Sequence, residues 1–85
     1  MAEKEDHLNI TLYFQDNKDQ SYDLRIPKNI SVYHLLTEIN KIFQKQIQPN
    51  KYQIKVKNKR IILDDNKKLK DYPLTNGDIL EVIGE

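Results

Sequence analysis

Only one stretch of this chain carries a helical period, and what surrounds it alternates. Val32, Leu35, Leu36, Ile39, Ile42 and Phe43 recur at i, i+3, i+4, i+7, i+10 and i+11, one apolar stripe along a helix. Glu38, Asn40, Lys41, Gln44 and Lys45 take the opposite face. Ser31 stands where an N-cap hydroxyl can accept an orphan N–H of the first turn. Ile30 and Leu35 occupy the two positions of a hydrophobic staple. The pattern dies near Gln46, and Pro49-Asn50 punctuates the following loop. A single amphipathic helix covers one face of one sheet and no more. The remaining apolar residues must therefore gather into one sheet that offers the helix a single apolar face.

The alternating segments supply that sheet. Leu8, Ile10 and Leu12 alternate with Asn9, Thr11 and Tyr13, the pattern of a half-buried strand. Asp16 to Gln20 reads as a polar turn, and Tyr22, Leu24 and Ile26 then alternate with Asp23 and Arg25. So short a connection predicts an antiparallel hairpin. Pro27 lacks an N–H for a ladder bond and ends the second strand. Tyr52, Ile54 and Val56 alternate with Gln53, Lys55 and Lys57 in a third strand. Asn58-Lys59 suits a tight turn, since Asn tolerates positive φ, and a short fourth strand runs from Arg60 to Leu63. Asp64 to Lys68 is loop. Thr75-Asn76-Gly77-Asp78 is a turn with glycine where positive φ is cheap. The last strand puts Leu80 and Val82 on one face and Ile79, Glu81 and Ile83 on the other. Residues 1–6 read as a flexible, charged leader ahead of one domain over residues 7–85.

Charge and residue types narrow the function classes. Fourteen basic and thirteen acidic side chains leave a formal net charge of +1, which argues against a dominant anionic partner. Lys55, Lys57, Lys59 and Arg60, with Lys67, Lys68 and Lys70, form a basic cluster. Its aromatic neighbour Tyr52 shares the buried parity instead of that face, and Asp64, Asp65 and Asp71 dilute the cluster, so nucleic acid is not expected. A solvated hairpin face is the plainer reading. There is no cysteine, and His7 and His34 are too few for a structural zinc site. His34 falls in the first helical turn and reads as a surface residue. No triad, paired-carboxylate or phosphate-loop spacing is present, and the chain has two glycines in all, Gly77 and Gly84. No enzyme activity, cofactor or metal is expected. No apolar run approaches the roughly 20 residues of a membrane span, and the polar start is no Sec signal, so a cytoplasmic protein without direct membrane insertion is expected.

With order strand, strand, helix, strand, strand, strand, the fold class is α+β, a β-grasp with one helix packed on a mixed four- to five-stranded sheet. Ile26-Pro27-Lys28-Asn29-Ile30-Ser31-Val32 resembles the strand end, loop and capped helix start of ubiquitin. Leu69-Lys70-Asp71-Tyr72-Pro73-Leu74 resembles the segment of ubiquitin that precedes its final strand. The resemblance places Leu69, Tyr72 and Leu74 in the core and has the Tyr72 hydroxyl bonding nearby backbone. Conjugation needs a terminal Gly-Gly arm, and Ile83-Gly84-Glu85 does not offer one, so a non-conjugated protein is expected.

Tyr22-Asp23-Leu24 and Asn76-Gly77-Asp78-Ile79-Leu80-Glu81-Val82 narrow the likeness further. On these segments the chain resembles the YukD/EsaB family, the ubiquitin-like accessory proteins of type VII secretion in Gram-positive bacteria. The resemblance implies an accessory or regulatory role exercised by protein–protein docking. The implied partner is a membrane component of the secretion machinery, and the chain itself is expected to be monomeric. A β-grasp adaptor in an unrelated pathway stays open as the alternative. If Ile10, Leu12, Leu80 and Val82 face the helix, then Tyr13, Ile79 and Ile83 face away. They would form one exposed apolar patch flanked by Thr11, Lys55, Lys57 and Glu81, the expected protein-binding site.

Overall fold

A computed structural model describes residues 7–44 and 51–84. The expected leader over residues 1–6, the loop marked by Pro49-Asn50, and residues Lys45, Gln46 and Glu85 lie outside the described residues. Strands β1 (His7–Phe14), β2 (Asn17–Pro27), β3 (Tyr52–Val56), β4 (Ile61–Leu63) and β5 (Ile79–Gly84) form one sheet in the order β2-β1-β5-β3-β4. β1 and β5 pair in parallel at its centre, and every other neighbouring pair is antiparallel. Helix α1 (Val32–Phe43) supplies Val32, Leu35, Leu36 and Ile39 to a core shared with Leu8, Ile10, Leu12, Phe14, Ile26, Ile54, Val56, Leu63, Leu69, Leu80 and Val82. The expected β-grasp of one helix on a mixed sheet is the fold observed.

Alternation sets the faces as anticipated, and the differences sit at element ends. The β1–β2 turn comes earlier, because strand pairing already resumes at Asn17 opposite Phe14. Asn17 to Ser21 are exposed throughout, so that end of β2 carries no period to read. Ile42 is 60% exposed, although the helical stripe included it. At about 100° per residue it lies roughly 70° from the stripe's centre, whereas Phe43 lies near the middle. Phe43 packs edge-on to Phe14 at 5.6 Å between ring centroids and against Tyr22 at 4.6 Å. The helix stops there, with Gln44 in the left-handed region at φ 54.

The helix start shows where its orphan donors go. Ser31 Oγ accepts from the His34 N–H at 3.0 Å, as an N-cap should. The Val32 and Tyr33 N–H groups donate to the carbonyls of Lys67 and Asp65. The segment after β4 is thereby stapled to the helix, and Leu69 N–H returns a bond to Ile30 O. A 3-10 turn over Leu69–Asp71 buries Leu69, and Asp64 N–H donates to the Tyr72 hydroxyl at 2.8 Å, the backbone role expected of that tyrosine.

Candidate docking face

Among the described residues the helix covers one face of the sheet, and strand register decides which side chains meet on the other. Tyr13 lies opposite Glu81, Glu81 opposite Lys55, and Lys55 opposite Ile62, one row across four strands. Thr11 pairs with Ile79 on one side of that row, and Gln53 with Ile83 on the other. Tyr13, Ile79 and Ile83 belong neither to the buried core nor to the partly buried residues packed against it. They are half-buried, as are Thr11 and Lys55, while Lys57 is exposed. The expected site residues thus share one face, with less apolar area open to solvent than a fully exposed patch would have.

Two features of this face escaped sequence reasoning. Ile62, 50% exposed, adds an apolar side chain on β4. The signal was available: Ile61 and Leu63 turn inward, so parity alone sends Ile62 outward. Glu81 was expected to flank the patch, yet it is only 3% exposed. It stands on a central strand between the longer side chains of Tyr13 and Lys55, and Lys57 Nζ comes within 3.8 Å of its carboxylate. Thr11 is committed too, its hydroxyl donating to Asp23 at 3.0 Å.

One end of the face is pinned by a polar cluster around Asp78, which is 2% exposed. Its Oδ1 accepts from Asn58 Nδ2 at 2.9 Å and from the Thr75 hydroxyl at 3.3 Å. Its Oδ2 accepts from Lys59 Nζ at 2.9 Å and from Thr75 N–H at 3.0 Å. Burial by itself raises the carboxyl pKa. The hydrogen bonds from Asn58, Thr75 and Lys59, with the Lys59 charge, outweigh burial and hold it below the usual carboxylate range. Asn58 Oδ1 in turn accepts from Ile79 N–H, which sets where β5 begins. Asn76 and Gly77 tie the same turn to Asn9, through its N–H and its carbonyl respectively, with Gly77 at φ 93.

This cluster revises two expectations. Lys59 is no part of a solvated basic face, since its ammonium also donates to Pro73 O and the Thr75 hydroxyl. The positive φ of the β3–β4 turn falls on Arg60 at 58°, not on Asn58, whose side chain is engaged with Asp78 and Ile79. His34 lies at the surface within 3.3 Å of Glu38. Among the described residues no group of three or more acidic, histidine or cysteine side chains could hold a metal ion. A second apolar surface, a cleft of about 330 Å³ between β2 and α1, includes Ile30, Leu35 and the exposed Ile42 in its lining.

Solved ubiquitin-like proteins share this architecture. Ubiquitin of Caldiarchaeum subterraneum superposes with a TM-score of 0.73 at 18% identity, covering 93% of this chain and 94% of that chain. The ubiquitin-like domain of Plasmodium falciparum Dsk2 gives 0.73 at 18% identity, covering 93% and 99%. The structure therefore defines a ubiquitin-like β-grasp protein. At the level of sequence, residues 7–82 match the family described as the WXG100 protein secretion system (Wss) protein YukD. The type VII secretion system accessory factor EsaB of Staphylococcus aureus strain Newman is 30% identical over 77 residues, covering 91% of this chain and 96% of the relative. The chain belongs to the YukD family.

Proposed function

We propose that this protein is a cytoplasmic accessory component of a type VII secretion system and that it works by docking through the outer face of its sheet. The observation that carries the docking reading is the row-by-row arrangement on that face. Tyr13, Ile79, Ile83 and Ile62 stand on the side of the sheet away from α1, with Lys55 and Lys57 among them. Apolar side chains interspersed with cations on a rigid sheet suit a protein partner. Family membership and the likeness to EsaB support the pathway. No described helix is long and apolar enough to cross a membrane, so the reading has the protein meet a membrane component of the machinery from the cytoplasmic side.

The reading is of a binder and not of an enzyme or a conjugated modifier. Among the described residues the two most buried ionisable side chains, Asp78 and Glu81, are placed by structure rather than poised in a cleft: the first pins a turn, the second lies within the sheet face. Gly84 also has a packing reason to be glycine. It pairs with Tyr52 across β3 and β5, and a Cβ on it would lie 2.5 Å from the Tyr52 ring. Deleting the gene tests the pathway. Secretion of WXG100-type substrates should stop and return on complementation; undiminished secretion would remove the protein from that pathway.

A further inference from the structure

The chemistry of the partner can be read from the charges on the docking face, and this inference rests on the docking reading above. Three charged groups stand at the middle of the face: Lys55, Lys57 and Glu81. The carboxylate is all but sealed, with a side-chain exposure of 5%, and Lys57 is the ammonium close to it. Lys55 lies between Glu81 and Ile62 in the row and makes no ion pair among the described residues. Asp64 and Asp65 line a groove with Ile62 and Gln53, and Asp23 accepts from Thr11, but none of them pairs with Lys55, whose charge stands without an ion-pair partner beside Ile62 and Ile83. A partner that covered this area with apolar groups alone would desolvate that charge without compensation, which is costly. A cation opposite it would repel.

We propose that the surface docking here is an apolar stripe with an aspartate or glutamate at its centre, seated against Lys55. The aliphatic groups of the stripe pack on Ile62, Ile83 and Tyr13, and its carboxylate supplies the ion-pair partner that Lys55 lacks. Such pairing favours the right register and partner beyond what apolar contact provides. Lys55 is then the residue that selects the partner, and Glu81 positions Lys57.

A photo-crosslinking amino acid, p-benzoylphenylalanine, in place of Ile62 in the native cell tests this, with mass spectrometry of the adduct. The expected adduct peptide carries Asp or Glu among aliphatic or aromatic residues. A synthetic peptide of that sequence should bind the purified protein. Lys55→Glu should weaken it by about 30-fold, and Lys55→Gln, a gentler change, by about fivefold. Exchanging the peptide's carboxylate for lysine should restore binding to Lys55→Glu to within about threefold of the original pair. Thermal unfolding of both variants checks that they fold. An adduct peptide without an acidic residue, or no rescue by the charge exchange, overturns the acidic partner and leaves the docking face standing. No adduct from position 62 overturns both.

Discussion

At the scale of single residues, the buried charge of Asp78 is the group on which the turn before β5 depends. Its carboxylate accepts four hydrogen bonds from three residues, and these connect the β3–β4 turn to the start of β5. Asp78→Asn should cost about 2 kcal/mol at neutral pH, measured by urea unfolding, because it removes a charge that Lys59 and Thr75 are arranged to meet. The folded pKa is depressed, so this stabilisation is complete above the unfolded value of about 3.9 and is lost as pH falls through the lower folded value. The gap between wild type and Asp78→Asn should therefore hold steady from about pH 5 upward and narrow below about pH 4. A gap independent of pH would contradict the assigned charge. Gly77 offers a cleaner backbone test, since nothing lies within 4 Å of a Cβ built there. Its φ of 93° alone should make Gly77→Ala cost about 1 kcal/mol, and Gly77→Asn less, by thermal unfolding.

At the scale of elements, the period of the pattern decided what could be read in advance. Strand faces and the helix stripe were legible because burial on one side leaves a repeat of two or of 3.6. The exposed start of β2 has no such repeat, so its onset was misplaced. Asn76-Gly77-Asp78 was legible as a turn, but its bonds to Asn9, Asn58 and Lys59 cross from 19 to 68 positions of sequence, and no local rule reports them. Glu81 was misplaced for a related reason: parity gives the face, and only the neighbouring strands determine depth. Ile62 was overlooked although parity sufficed for it. At the helix start the Ser31 cap was legible, but the bonds from Val32 and Tyr33 to the segment after β4 were not. Ser31→Ala should destabilise by about 1 kcal/mol in chemical unfolding, with the first-turn amides exchanging faster by hydrogen exchange. The bonds from Val32 and Tyr33 to Lys67 and Asp65 should survive that change, so the helix should shift no further than its first turn.

At the scale of the whole molecule, one helix occupies one side of the sheet, and the other side is the one we propose for a partner. The central parallel pair β1 and β5 contributes to both sides, through Leu12, Leu80 and Val82 toward α1 and Tyr13, Ile79 and Ile83 away from it. On the proposed reading, stability and docking are separated by side-chain parity along the same strands. The most direct test is secretion of WXG100-type substrates by cells whose chromosomal copy carries Ile62→Glu and Ile83→Glu together, with protein level and melting temperature measured alongside. Secretion should be lost while the melting temperature stays within about 5 °C of wild type, and Tyr33→Glu with Ile42→Glu on the helix should leave secretion intact. Normal secretion from the sheet-face variant, or loss from the helix variant alone, would contradict the assignment of the outer face.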